Sequence, residues 1–271
     1  MNFKLNTLVA AALLVAAGTA NAAIDNGNTT NGTGELFLTV VDTTAGYSFV
    51  GDLGVSMDSF LASSGASATP WNLSSFSAWT PFVAAIGGNL SNATFAVYAF
   101  DNVGATSTVN AKRLLTTVAA GDDISGLAGN YTTTNSKLGS IVGTVITTPL
   151  AQFQSDSNNL SNDHDTVANG SSYTSSAFNA GYVDAQYGVD LKANTQFVTT
   201  VAASGAADFW LLGNSSSSVG AQANTFQQAG QFSLSDTSLS YTVAAVPEAD
   251  TYAMMLAGLG LVGFMVSRRK A

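Results

Sequence analysis

Thr94-Phe95-Ala96-Val97-Tyr98-Ala99-Phe100, closed by Asp101-Asn102, alternates large and small side chains with the two-residue period of a β-strand. That period sends successive side chains to opposite faces of a sheet. The Asp-Asn pair ends the run because short polar side chains bond their own backbone and favour turns. The same pattern extends in both directions. Upstream, Glu35-Leu36-Phe37-Leu38-Thr39-Val40-Val41 leads through Thr43-Thr44-Ala45-Gly46 into Tyr47-Ser48-Phe49-Val50, which reads as a hairpin. Downstream, Arg113 to Val118, Ser140 to Ile146, Phe197 to Val201 and Asp208 to Leu212 read as further strands. Phe232-Ser233-Leu234-Ser235 and Leu239-Ser240-Tyr241-Thr242-Val243 alternate again and close the pattern. Many short strands between Gly, Asn, Ser and Asp turns predict a mainly β body, an antiparallel β-sandwich or jelly-roll-like fold with a few short helices.

Three helices are expected. Thr80 caps and Pro81 opens Phe82 to Ile86, and Gly87-Gly88 stops it. Met57 to Leu61 forms a short turn of helix, and Thr148-Pro149 begins another through Leu150 and Phe153. The polar stretch from Asp156 to Ser176 reads as a long surface loop or a boundary. No unit repeats with a period of roughly 20–50 residues, which argues against a solenoid or propeller.

The two ends differ in kind from the middle. Lys4, the apolar run Leu8 to Ala17 and the small-x-small site Ala20-Asn21-Ala22 compose a secretory signal peptide over residues 1–22, cut before Ala23. It implies the Sec export machinery as a partner. At the other end stands Val246-Pro247-Glu248-Ala249-Asp250, then an apolar run from Ala253 to Val266, then Arg268-Arg269-Lys270. The run of 14 residues spans about 21 Å as a helix, short of the ~30 Å hydrocarbon core, with Tyr252 and the arginines placed to extend it. The basic end stays in the cytoplasm by the positive-inside rule. Composition alone leaves a permanent tail anchor open.

This tail resembles the PEP-CTERM sorting signal of Gram-negative bacteria. Pro247 and Glu248 match the first two positions of the tripeptide, with Ala249 in place of the second proline. Met254 to Phe264, with Gly258, Gly260 and Gly263, matches the short helix, and Arg268, Arg269 and Lys270 match the basic end. The resemblance implies recognition by exosortase, a membrane-embedded cysteine transpeptidase. It also implies transient residence in the inner membrane, removal of the tail, and delivery of the body to the cell surface or exopolysaccharide matrix. Gly258-Leu259-Gly260-Leu261-Val262-Gly263 also fits the letters of a dinucleotide fingerprint. However, no acidic ribose ligand follows it, and glycines in a membrane helix serve packing.

Between these ends lies a β-rich body, residues 23–246, read as one domain, with the sorting tail at 247–271 and its membrane helix at 253–266. The body holds four bases, Lys112, Arg113, Lys137 and Lys192, against fifteen acids. Without a basic stripe it is not a nucleic-acid binder. With no cysteine, its stability after export rests on core and backbone pairing.

Candidate chemistry is sparse. His164 stands alone between Asp163 and Asp165 without a G-x-S-x-G elbow, and reads as a solvated loop histidine. One His and no Cys do not make a zinc site. Glu35 is the only body glutamate, so a glycosidase pair would need aspartates. Asp122-Asp123 reads more simply as a turn. Asp156, Asn158, Asp163 and Asp165 have the alternating oxygens of a weak calcium candidate, against the plainer reading of an acidic loop. No other cofactor is implied. Trp71, Phe76, Trp79 and Phe82 cluster in twelve residues. Sugar-binding modules often present such aromatic platforms, but Trp79 and Phe82 read as core, as does Trp210, with the core reading weaker for Trp71 after Pro70.

Two function classes follow. One is a non-enzymatic surface or matrix protein, structural or adhesive, associated with exopolysaccharide or biofilm. The other is a secreted carbohydrate-binding module or carbohydrate-active enzyme. The scarcity of His, Glu and Cys favours the first. An exposed aromatic row beside paired aspartates in a deep groove would favour the second.

Overall fold

The strand read first from the sequence, β4 (Thr94–Asp101), lies near the middle of one antiparallel sheet. The computed structural model describes residues 24–25, 27, 34–63, 70–105, 108–122, 124, 134–142, 160–163, 169–176 and 201–243. In chain order the other strands are β1 (Glu35–Asp42), β2 (Tyr47–Ser56), β3 (Trp71–Asn72), β5 (Arg113–Ala119), β6 (Ser161–Asn162) and β7 (Ser171–Ser175). They are followed by β8 (Val201–Ala202), β9 (Ala206–Gly213), β10 (Asn224–Leu234) and β11 (Ser238–Val243). Three short helices join them: α1 (Met57–Ala62), α2 (Trp79–Ala85) and α3 (Asn135–Ser140). The spatial order is β3-β11-β10-β9-β5-β4-β1-β2-β7-β6. β8 pairs with Thr94 and Phe95 of β4, beyond the reach of β5, which pairs with Tyr98 to Asp101.

This sheet curls into a half-barrel, so the expected sandwich is realised as a single bent sheet with a packed cluster on each face. Period-two alternation marks which residues face inward and not which strands pair, so the two architectures look alike in sequence. Two tryptophans tie the ends of the sheet together. Trp71 pairs in register with Leu239 of β11, while its Nε1 donates to the Leu53 carbonyl of β2 at 3.0 Å. Trp79 of α2 packs on Phe49 of β2 at 4.9 Å and donates to the Asp236 carbonyl of the β10–β11 turn at 2.8 Å.

Both faces of the sheet are covered. The first carries Leu38, Phe49, Phe95, Phe209 and Phe232 beneath α1 and α2. Phe60 of α1 meets Phe209 at 5.3 Å and Tyr241 at 4.9 Å, both edge-to-face, the geometry that ring quadrupoles prefer. The second carries Phe37, Val50, Tyr98, Leu114 and Trp210 beneath Leu138 of α3 and the following Ile141 and Val142. This double covering is why β1, β4 and β5 are buried along almost their whole length.

Several sequence expectations change. Ser140 to Val142 are not strand: Ser140 ends α3, and Ile141 and Val142 continue as a π turn, while 143–146 lie outside the described residues. The apolar pair faces the sheet from a helix as well as it would from a strand. Thr80 does not cap α2, which begins at Trp79 after Ala78 with no side-chain cap, although Gly87 and Gly88 end it at φ of 91° and 85°. The polar stretch from Asp156 to Ser176 is not all loop, because it contains β6 and β7. Ser171, Ser172 and Thr174 are buried there against β2. Of the strand expected at Phe197 to Val201, only Val201 is described, as the first residue of β8, and Thr148 to Phe153 fall outside the described residues. Among the described residues no helix is long and apolar enough to cross a membrane, and the segment 253–266 is not among them.

Candidate functional site

A polar cleft of about 240 Å³ opens between β2, β3 and the residues Asp163 and Asn169 that flank β6 and β7. It is lined by Asp52, Leu53, Trp71, Asn72, Ser75, Phe76, Asp163 and Asn169. Local structure fixes each wall. The Asn72 carboxamide accepts from Ser74 N at 3.1 Å and caps the 3-10 turn Leu73–Ser75, while Ser75 Oγ donates to the Asn72 carbonyl at 2.6 Å. Trp71 is half-buried, with its N–H spent on Leu53 and Phe232 lying 6.1 Å away at a 33° tilt. The rest of the indole borders the cleft. Phe76 lies deeper, edge-on to Phe49 at 5.9 Å.

Asp163 anchors the opposite wall. Its Oδ1 accepts from Ser171 N at 2.5 Å, and its Oδ2 accepts from Ser77 Oγ at 2.5 Å. It thereby pins the start of β7 to the segment leading into α2. Asn169 sits in the left-handed region at φ 56°. Gly54 at φ 65° makes room for it, since a Cβ there would stand 2.6 Å from Asn169 Oδ1.

Asp52 is the most perturbed carboxyl described. It is 1% exposed; its Oδ1 accepts from Gly54 N at 2.7 Å, and its Oδ2 has no hydrogen-bond partner. Burial pushes its pKa up to about 7, with the charge of Glu35 adding and the Gly54 N–H opposing. Glu35 is itself raised by burial, against the Asp25 N–H that it accepts at 2.8 Å. Arg113 is occupied elsewhere, holding Asp101 at 2.7 Å and Asp58 at 2.8 Å.

The residues singled out from sequence are divided by these placements. Trp71, Phe76 and Asp163 come together in the cleft. Trp79 and Phe82 are core, at 2% and 0% exposure, and Trp210 is buried on the second face. Asp156, Asn158, His164 and Asp165 lie outside the described residues, as do Asp123, the signal residues Ala20 and Ala22, and the whole tail with Pro247 to Lys270. Among the described residues, no three of His, Cys, Asp and Glu stand close enough to hold a metal ion. Asp163 spends both oxygens on neighbouring donors, which points to a structural role. The sequence reading passed over Asp52, Asn72, Ser75 and Asn169. A signal for Asp52 existed: an aspartate between Gly51 and Gly54 in an otherwise apolar strand.

The second functional region is the tail, only one residue past the end of β11. Residues 245–270 match the family model of the PEP-CTERM protein-sorting motif. The chain carries a PEP-CTERM sorting tail. The PEP-CTERM motif implies an exported protein that exosortase processes, held at the membrane for sorting before release at the surface. The match covers the tail and leaves the body without a family. No curated protein and no solved structure matches the chain.

Proposed function

We propose that this chain is the precursor of an exported surface or extracellular-matrix protein, associated with exopolysaccharide or biofilm. Its body is structural or adhesive and not catalytic. The sorting motif at residues 245–270 carries the reading. In this scheme residues 1–22 direct Sec export, 253–266 hold the precursor in the inner membrane, and exosortase removes the tail. The body's composition supports a passive cargo: its one histidine, one glutamate and absent cysteine supply few groups for acid–base or nucleophilic work. Fifteen acids against four bases keep it off anionic lipid once released.

Fractionation of the native host with and without its exosortase, with mass spectrometry of the mature C-terminus, tests the scheme. With exosortase present, the protein should appear in the surface or matrix fraction without Arg268, Arg269 and Lys270. Without exosortase, it should stay in the inner membrane with Ala271 intact. Recovery from the cytosol with both Met1 and Ala271 in place would sink the proposal.

A second reading, a carbohydrate-binding body delivered by the same tail, is favoured by one observation. A half-exposed tryptophan borders a small cleft together with two aspartates and two asparagines. Retention of the full-length protein on neutral polysaccharide is the corresponding measurement.

A further inference from the structure

Building on that second reading, we infer that the cleft between β2, β3 and the residues Asp163 and Asn169 is a subsite for one uncharged pyranose ring, with Trp71 as its apolar wall and Asn72, Ser75 and Asn169 as partners for its hydroxyls.

Size sets the first constraint. At about 240 Å³ the cleft falls below the roughly 300–1,000 Å³ of pockets that enclose drug-sized ligands, so it suits a single ring and not a chain segment. Chemistry sets the second. A pyranose has a C–H face that meets the negative face of an aromatic ring, and a rim of hydroxyls that both donate and accept. Trp71 supplies the first partner. The carboxamides of Asn72 and Asn169 combine donor and acceptor, as a hydroxyl rim requires, while Ser75 Oγ, its proton given to the Asn72 carbonyl, offers an acceptor. Charge sets the third. Among the described residues no Lys or Arg lines the cleft and Asp163 does, so a uronic acid or a phosphosugar finds no cation there to pair with.

The pocket is also held open by its framework. Asp163 is fixed by Ser171 and Ser77, Asn72 by its cap on Ser74, and Trp71 by the Leu53 carbonyl. Gly54 lacks the Cβ that would displace Asn169. Little side-chain freedom remains to be lost on binding, which lowers the entropic cost of a weak, small ligand.

Trp71 provides its own reporter. Trp79 and Trp210 are 2% and 6% exposed, while Trp71 is half-buried, so a ligand-dependent change in tryptophan fluorescence reads mainly Trp71. The full chain is titrated with glucose, galactose, mannose and glucuronate, and separately passed over immobilised dextran. Far-UV circular dichroism of each variant confirms folding. At least one neutral sugar should give a saturable change with a Kd in the millimolar range, and glucuronate should bind at least about tenfold more weakly.

Trp71→Ala should lose binding by about tenfold or more, read by saturation-transfer NMR. Asn169→Gly keeps the left-handed backbone and should weaken binding by about threefold to tenfold. It keeps the inference testable should Trp71→Ala fail to fold. Dextran retention without a response to free sugars would assign the ring to a polymer end. Sugar binding untouched by both substitutions overturns the subsite while leaving a carbohydrate-binding body standing. No response to any free sugar and no dextran retention overturns both. Glucuronate binding as tightly as glucose overturns the assignment to an uncharged ring.

Discussion

The two faces of the sheet are packed by different means, and the first buries the larger cluster. The first face is aromatic and electrically quiet. Phe49, Phe60, Phe209, Phe232 and Tyr241 meet ring to ring, and the two tryptophans that border it both place their N–H on a carbonyl. The second face is patched. Its Trp210 N–H is buried without a partner, and Asp52, in register with Phe37, keeps an unpartnered carboxyl oxygen. Its cover, α3, is a six-residue helix fastened by Asn135, whose amide donates to the Ser216 and Ser218 carbonyls. Rings packed edge-to-face gain energy beyond their buried area, while each orphaned polar group costs about 1–3 kcal/mol. The first face therefore supplies the larger share of stability, and the second, despite its edge-to-face Phe37 and Tyr98, leaves room to gain it.

The largest effect should come from the first face. Phe232→Ala removes a fully buried ring that touches Phe209 and Tyr241, each at 4.9 Å. It should cost about 3–5 kcal/mol in urea unfolding of the full chain. A cost below about 1 kcal/mol would break the comparison.

Next is the pH response of the second face. Folded Asp52 holds its proton to about pH 7, while the unfolded residue ionises near its ordinary value of about 3.9. Between those limits the folded state binds more protons than the unfolded one, so stability falls as pH rises. At about 1.4 kcal/mol per unit, the loss is on the order of 3–4 kcal/mol from pH 4 to pH 7. Glu35, raised in the same direction, adds to it. Thermal melts of Asp52→Asn should show a shallower decline, with the variant more stable than the parent at pH 8. Equal pH slopes for parent and variant would remove Asp52 as the cause.

Trp210→Phe sharpens the contrast in the opposite sense. It deletes the orphaned N–H and should leave stability unchanged or raised by about 1 kcal/mol. The corresponding Trp79→Phe breaks a bond to Asp236 and should destabilise. The smallest loss belongs to the helix on the second face. Thr134 Oγ1 accepts from Lys137 N at 3.3 Å, and Thr134→Ala should cost about 0.5–1 kcal/mol by denaturation midpoint.

What could be read from the chain follows the same division. Strands with apolar residues at alternate positions announced themselves, and β1, β4, β5 and β11 stand within one residue of their expected limits. β2 was cut short at Val50 because Gly51, Asp52 and Gly54 imitate a turn, although pairing to β1 carries the strand on to Ser56. β7 was invisible: Ser171-Ser172-Tyr173-Thr174-Ser175 has the composition of a loop, and only its neighbours bury it. The first half of β10 was missed because Phe226, Gln227 and Ala229 are exposed and carry no inward period. The cleft was half legible. Trp71 stood out by type, whereas Asn72, Ser75 and Asn169 are unremarkable residues that only the tertiary fold brings to one place. The sorting tail was legible almost whole, because its information lies in linear order and not in contacts.

The end of β11 fixes a short leash. Val243 is the last paired residue among those described, opposite Gly230, and Pro247 follows four residues later. Four extended residues span at most about 14 Å, and the ten from Val243 to Ala253 at most about 36 Å. A precursor whose tail sits in the bilayer therefore keeps its folded body within that distance of the lipid. An enzyme acting at Pro247 would reach it within about 14 Å of the β10–β11 hairpin.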